Sequence, residues 1–329
     1  IQEVLEVMDE APLFHEELQQ LAAFLSRRAV APLISVCKAM LPKTWKPSSS
    51  HTERVMEEWL VKTGDAEQKP TRKQEEFLAS LTFPVKASEA RKQSASMTRS
   101  LLDKGILKIE KKPKQLLLAD KKEQQPWPKL QPQQKQALSL MEQNDGRPIL
   151  LYGVTGSGKT EVFFHMAQKA LDVGKQVLFL VPEIGLTPMM IERVVSRFDV
   201  PVYIYHSRLS DTEAASQYEQ VSKMGKGIVI GTRSAVFLPF NNLGLIIMDE
   251  EHDHSYKQQN SPRYHTRDAA VFRAKWHHCP LIMASATPSL ESYARAWKGV
   301  YQLVEMDQRA SGRFAMVSLI DMKTQQTYM

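Results

Sequence analysis

The chain has 329 residues, 43% hydrophobic and 24% charged, with a formal net charge of +6, which suggests about two domains of ordinary globular composition. No apolar run approaches the roughly 20 residues that cross a bilayer, and no signal-peptide pattern opens the chain. Its two cysteines, Cys37 and Cys279, cannot build a disulfide framework or a four-cysteine zinc site, so they are expected to be reduced thiols in a cytoplasmic protein with no membrane partner.

The chain opens at Ile1 and reads as a piece of a longer protein. Leu5, Met8, Leu18, Leu21 and Leu25 recur at helical spacing and predict a helix over 1–29. Two prolines and a serine run make 42–51 a linker. Residues 52–120 read as a small helical domain. Thr52 would cap a helix to about Lys62, Thr71 a second ending before Pro84, and Ser88 a third reaching Asp103. Gly105 then stops that helix, Ile106, Leu107 and Ile109 start a strand, and Leu116–Leu118 suggest its return. Three helices and a basic hairpin match a winged helix, with a generic three-helix module as the alternative. Residues 86–114 hold nine Lys or Arg against Glu89, Asp103 and Glu110, which is a surplus equal to that of the whole chain. That stretch is either a solvated basic face or a phosphate-binding surface.

Pro126-Trp127-Pro128 marks a second linker over 121–129. Beyond it, short apolar runs alternate with helical segments, at 148–152, 176–181, 202–205, 227–230, 243–248 and 281–284. This is the pattern of a mostly parallel sheet covered on both faces, an α/β fold.

Gly153-Val154-Thr155-Gly156-Ser157-Gly158-Lys159-Thr160 fits G-x-x-x-x-G-K-[ST] between a strand and a helix running from about Thr160 to Val173. Glycines let backbone N–H groups wrap phosphate oxygens, and the helix N-terminus favours the anion. Lys159 would reach the β and γ phosphates of ATP, and Thr160 would offer its hydroxyl to Mg²⁺. The strand 245–248 runs directly into Asp249-Glu250-Glu251-His252. Asp249 is placed to hold Mg²⁺ and Glu250 to polarise the attacking water; a solvated acidic turn is the plain alternative.

Three features narrow the class of nucleotide motor. These are Ser285-Ala286-Thr287 after the strand at 281–284, Gln134 about twenty residues before the phosphate loop, and the D-E-x-H form of 249–252. Together they resemble the first RecA-like lobe of a superfamily 2 helicase. Longer stretches are similar to the PriA (primosomal protein N-prime) family of replication-restart DNA helicases. They are 180–188, His206-Ser207, Gly231-Thr232-Arg233-Ser234-Ala235, and 249–268 with Ser255-Tyr256-Lys257-Gln258-Gln259 and Arg263-Tyr264-His265-Thr266-Arg267-Asp268.

The resemblance implies three parts. Residues 1–47 are the tail of an N-terminal 3′-end DNA-binding domain plus linker, 52–120 a winged-helix DNA-binding domain, and 125–325 helicase lobe 1. It implies an ATP-dependent 3′-to-5′ DNA helicase that recognises stalled or branched forks and loads the primosome. Forked or single-stranded DNA, primosome proteins and single-strand-binding protein would be its partners. Gln134 would read adenine, and Ser285 and Thr287 would couple nucleotide to DNA. Thr232 and Arg233 would hold a single-strand backbone. The aromatic and cationic loop with Tyr256, Lys257, Tyr264 and Arg267 would contact DNA and couple it to hydrolysis, the alternative being tyrosines packed on the lobe. His252 would bridge the two sites or serve structure alone. The family's second lobe, with its catalytic arginine, and its zinc-binding insertion would lie outside this chain, so the chain alone is expected to bind ATP weakly and hydrolyse it poorly. A branch-remodelling translocase, or a fork-binding scaffold, remains an alternative.

Overall fold

Every second residue of the central strands faces the same way, and both directions are apolar. The computed structural model describes residues 14–45, 56–63, 69–113 and 124–310. Its larger unit is built on a seven-stranded sheet. In chain order the strands and helices before the unit are α1 (Glu16–Ala29), α2 (Leu33–Met40), β1 (Met56–Lys62), α3 (Arg72–Ala79), β2 (Val85–Lys86), α4 (Ala87–Asp103) and β3 (Leu107–Pro113). The unit itself comprises α5 (Pro132–Glu142), β4 (Ile149–Gly153), α6 (Lys159–Asp172), β5 (Gln176–Leu180), α7 (Pro188–Val195), β6 (Val202–Tyr205), α8 (Asp211–Lys223) and β7 (Gly227–Gly231). It continues with β8 (Leu243–Met248), α9 (Thr266–Trp276), β9 (Leu281–Ser285), α10 (Leu290–Trp297) and β10 (Gln302–Met306).

The sheet order is β10-β4-β9-β8-β5-β7-β6, and every pairing is parallel. Leu150, Leu178, Leu180, Ile246 and Met248 pack into the core on one face. Their neighbours Ile149, Leu151, Val177, Phe179, Leu245 and Ile247 pack into the core on the other. Burying a side chain of this size stabilises by roughly 1.5–3 kcal/mol relative to exposure. Continuous apolar runs are therefore stable only where helices cover both faces. The six strands read from sequence are present within one residue at each end, and β10 is an additional edge strand.

The first segment, read as the tail of an N-terminal DNA-binding domain, packs on the large sheet. Helix α1 docks on the lobe with Leu18, Leu21, Ala22 and Leu25 buried in the same core as the sheet residues. Phe24 meets Phe272 of α9 with ring centroids 5.3 Å apart. Val36 and Met40 bury the inner stripe of α2. The region read as linker is also fixed where it is described. Pro42 is buried, Lys43 pairs with Asp211 at 3.6 Å, and Trp45 stands edge-on to Tyr218 at 5.2 Å. Leu5 and Met8 lie outside the described residues, as do 46–51.

The centre of this docking is a buried ion pair. Arg273 of α9 is fully buried and donates from Nε and Nη2 to the two Glu17 carboxylate oxygens, at 2.5 and 2.8 Å. Its Nη1 donates to the carbonyls of Val236 and Leu238, each at 2.7 Å. His277 Nε2 lies 3.1 Å from Glu17. Burial alone would raise the Glu17 carboxyl, but the charge of Arg273 and bonds from His277 and Arg273 outweigh it and hold the group at about 2.

The small domain differs from the three-helix reading. Residues 56–62 form strand β1, not a helix. The strand is the middle of a sheet of order β2-β1-β3, with Leu60 opposite both Val85 and Ile109. Helix α3 begins where expected, with the Thr71 and Gln74 capping box formed. Helix α4 starts at Ala87 after Lys86, ahead of the expected Ser88 cap, and breaks at Ser94, where the backbone is extended. Three helical pieces therefore exist, over 72–79, 87–93 and 95–103, but they are not the three read from sequence. Gly105 ends the last with φ +68°. The return strand at 116–118 lies outside the described residues.

The basic stretch is partly neutralised by its own neighbours. Arg91 pairs with Glu58 at 2.9 Å, Lys108 with Glu110 at 3.2 Å, and Lys104 donates to Gln74 Oε1 at 3.0 Å. The second linker is anchored too. Trp127 stands edge-on to His165 and Phe198, at 4.7 and 5.7 Å, under the Arg197 guanidinium. Among the described residues no helix is long and apolar enough to cross a membrane. Both cysteines are free thiols. Burial pushes Cys37 up and Cys279 up to about 12, so neither is a reactive thiolate.

Candidate nucleotide site and strand groove

Because all seven strands run the same way, every loop that follows a strand lies on one edge of the sheet. The order of strands then decides which loops are neighbours. Strands β4, β9 and β8 are adjacent, so the phosphate loop, Ser285-Ala286-Thr287 and Asp249–His252 stand side by side. Strands β5, β7 and β6 follow, and bring Glu183, Thr232-Arg233-Ser234 and Ser207 together beyond them.

The phosphate loop has the geometry of an anion cradle. Gly156 and Gly158 take φ +81° and +83°, a region that excludes most side chains. A Cβ at Gly158 would also collide with the Gln134 amide nitrogen. Gln134 is buried; its Oε1 accepts from Gln131 N at 2.8 Å, and its Nε2 donates to the carbonyls of Ser157 and Gly158 at 3.3 and 3.4 Å. The glutamine read as an adenine contact thus clamps α5 to the loop. Lys159 Nζ donates to Gly153 O at 2.6 Å. Burial lowers its pKa, while the Glu250 and Asp249 charges oppose that shift. Ser157 Oγ is buried with no hydrogen-bond partner. An orphaned hydroxyl and a lysine standing on loop carbonyls are what a phosphate group would satisfy. Thr155 and Thr160 complete the loop read from sequence, Thr160 lying in the first turn of α6.

Asp249 leaves the end of β8, its N–H donating to Leu180 O at 2.9 Å. Burial, and then the neighbouring Glu250 charge, push its carboxyl up to about 6. A bound divalent cation would relieve that repulsion, so the Asp249 carboxyl fits a cation such as Mg²⁺. Glu250 sits at φ +45°, a strained conformation for a residue with a Cβ, and its side chain is partly exposed. His252 Nδ1 lies 2.7 Å from Ser285 Oγ and 3.5 Å from Glu250. Ser285 Oγ also accepts from Thr287 N at 2.9 Å. A chain of polar contacts therefore joins Glu250 to the Ser285–Thr287 turn.

Glu251, which sequence reasoning passes over, is the best-anchored of the three acids. It is buried and accepts from Ser289 N, Ser289 Oγ and Ser292 Oγ at 2.7, 3.1 and 2.8 Å. Arg267 is buried beside it at 3.8 Å and donates to Ser292 Oγ at 3.0 Å. This corrects the reading of Arg267 as a surface DNA contact: its charge is balanced inside the lobe by Glu251. Tyr256 is corrected likewise. It is fully buried, and its hydroxyl donates to the Asp249 carbonyl at 2.7 Å. Tyr264 is also buried, edge-on to Phe237 at 5.0 Å. The tyrosines pack on the lobe because the loop needs an apolar underside. Lys257 remains exposed. Arg233 Nη1 donates to the carbonyls of Ser255 and Lys257, at 3.1 and 3.0 Å, so it braces this loop from the groove side. Thr232 is buried at the end of β7.

The same loop carries a pH-sensitive cap. His265 Nδ1 accepts from Arg267 N at 3.1 Å and caps α9. Burial, then the Arg267 charge, push the imidazole down to about 4. A histidine whose folded pKa lies below its unfolded value contributes stability that is full above about pH 6.5 and is lost as pH falls. Stability should therefore decline between about pH 6.5 and 4, by up to about 1.4 kcal/mol per pH unit for this group. His265→Asn keeps a capping acceptor and should flatten that part of the slope. Urea melts of both proteins at about pH 7 and pH 5 give the comparison; equal slopes would reject the role.

The profile described as DEAD/DEAH box helicase matches residues 131–296, half of the chain. The chain belongs to the DEAD/DEAH box helicase family. A second profile, described as a 3′ DNA-binding domain, matches residues 1–42. Replication restart protein PriA of Bacillus subtilis (strain 168) is 39% identical over 309 residues, 88% of this chain and 38% of that protein. The PriA of Haemophilus influenzae (strain ATCC 51907 / DSM 11121 / KW20 / Rd) is 47% identical over 198 residues, 60% of this chain and 27% of its own length. The chain thus spans well under half the length of these relatives. A structure of RecG bound to a three-way DNA junction is 25% identical over 57% of this chain and 25% of its own, with a TM-score of 0.41. Within the helicase family the D-E-x-H stretch of this chain is Asp249–His252, and the profile's span also includes the phosphate loop and Ser285–Thr287.

Proposed function

We propose that this chain is the first motor lobe, with attached DNA-binding parts, of an ATP-dependent 3′-to-5′ DNA helicase of replication restart. The protein would act on stalled or branched forks and load the primosome. The observation that supports it most is the side-by-side placement of phosphate loop, acidic turn and Ser285–Thr287 turn on one sheet edge, the last two joined through His252. The likeness to restart proteins over 88% of the chain supports the biological setting. Direction of travel, the partners (primosome proteins and single-strand-binding protein), a cytoplasmic location and zinc elsewhere in the full protein rest on that likeness alone.

The chemistry follows from the residues. Backbone N–H groups of 155–160 cradle the phosphates, and Lys159 neutralises their charge. Thr160 and Asp249 would hold Mg²⁺, which when bound supplies charge neutralisation at the β and γ phosphates. Glu250 accepts a proton from the attacking water. His252 and Ser285 then carry a change at Glu250 towards the loop that follows β9. Phosphoryl transfer also needs a cation from beyond this lobe, so the chain alone would turn over ATP poorly.

Glu250→Gln tests the reading in the intact protein. Turnover on single-stranded DNA should fall by about 10²–10³-fold, with ATP binding retained, because the amide cannot accept the proton. Unchanged turnover would reject Glu250, and turnover indifferent to DNA in the unmodified protein would reject the helicase reading.

A further inference from the structure

Beyond the nucleotide site lies a groove of about 350 Å³, open to solvent. One wall is the motor lobe: Glu183, Ser207, Thr232, Arg233, Ser234 and the 258–264 loop. The other wall is α2, which contributes Ser35, Lys38 and Ala39. We infer that Lys38 of α2 is part of the motor's strand groove, gripping the phosphodiester backbone of single-stranded DNA from the side opposite Arg233. This rests on the function proposed above and adds a residue from outside the helicase lobe to its DNA site.

Three observations carry it. First, the lining mixes polar and apolar surface about equally, and its polar part is rich in hydroxyls. Hydroxyls of Ser35, Ser207, Thr232, Ser234 and Ser261 surround the groove, which suits backbone contact without base reading. Second, the charge balance depends on α2. The lobe's own ionisable pair on this groove, Arg233 and Glu183, is neutral in sum, and Arg233 is already bonded to the carbonyls of Ser255 and Lys257. Lys38 makes the groove net positive. Among the described residues it forms no ion pair, so its ammonium is available to a phosphate. Third, α2 is held in place. Val36 and Met40 bury one stripe of the helix in the lobe core, while Ser35, Lys38 and Ala39, spaced i, i+3, i+4, form the stripe on the groove. The backbone of Lys38 is thereby held at the groove.

The consequence is a shared grip. Residues 1–42 match a 3′ DNA-binding domain, and 131–296 a helicase. The groove is built at the junction of the two, so one stretch of strand would touch both.

The test is Lys38→Ala in the intact protein, with oligodeoxythymidylate as the probe. The DNA concentration that half-saturates ATPase stimulation should rise roughly three- to tenfold, with the DNA-independent rate and the saturated rate unchanged. The slope of log affinity against log salt should fall in magnitude by about 0.7, the value of one single-strand phosphate contact. Lys38→Arg should restore both, and Lys38→Glu should weaken binding further. Melting temperature should not move, since Lys38 is partly exposed and forms no ion pair among the described residues. Half-saturation and salt slope unchanged in Lys38→Ala, in a protein whose ATPase does respond to DNA, would overturn this inference alone. A protein whose ATPase ignores DNA would overturn the proposed function as well.

Discussion

Lys159→Ala should lower ATP turnover of the intact protein by about two orders of magnitude or more, and weaken ATP binding in parallel. Its ammonium stands 2.6 Å from the Gly153 carbonyl, at the centre of the loop, with Asp249 and Glu250 as the nearest acidic charges. Without it, the phosphates of ATP would face two carboxylates with one fewer cation between them. Loss of a single pre-placed donor at developing charge costs about 10²–10³ in rate where the site excludes water. The fold should survive. Burial already disfavours the charged lysine, so its removal leaves no stranded partner of the kind that unfolds a protein. Titration with a fluorescent ATP analogue, beside turnover at saturating single-stranded DNA, separates the two effects. An unchanged titration would reject the assignment of the loop.

Glu17→Ala should cost about 3–5 kcal/mol of stability, although residue 17 lies far from the nucleotide. Arg273 would be left fully buried, with two carbonyl acceptors and no anion. That uncompensated charge is the source of the loss, more than the missing attraction. Glu17→Ala with Arg273→Met should therefore be more stable than Glu17→Ala alone, a sign that additive losses would not produce. The pH dependence has a definite sense. The Glu17 carboxyl is held at about 2, below its unfolded value, so its contribution is full above about pH 4.5 and fades as pH falls towards 2. Urea midpoints of the two variants, with unchanged m-values, give the measurement. Equal stability of Glu17→Ala and the unmodified protein would show that α1 does not depend on this pair.

Much of the motor is legible in the amino-acid sequence. The phosphate loop needs glycines at positive φ, and Gly156 and Gly158 have it. The strands of the large sheet are legible because a doubly covered sheet demands apolar residues in both directions. Strand β1 is not. Met56–Lys62 carries Met, Trp, Leu and Val among acids and lysine, and local spacing fits helix or strand until the β1–β3 pairing selects one. The break in α4 at Ser94 is equally hidden, because the residues on both sides retain helical composition.

Residue type and local backbone alone set the chemistry available: a cradle for phosphates, two carboxylates for metal and water, and the hydroxyl turn at Ser285–Thr287. Which of these meet is a matter of tertiary packing. Parallel order β4-β9-β8 makes the three turns neighbours, although the first and last lie over a hundred residues apart in the chain. Burial separates the 256–267 loop into anchors and surface: Tyr256 under Asp249, Arg267 against Glu251, Lys257 outside. Packing of α1 and α2 on the sheet makes α2, in a segment that reads as a tail, one side of the groove lined by Glu183 and Arg233. An isolated stretch of sequence carries no record of its partner's charge or of the space it fills, and those two quantities set each of these outcomes.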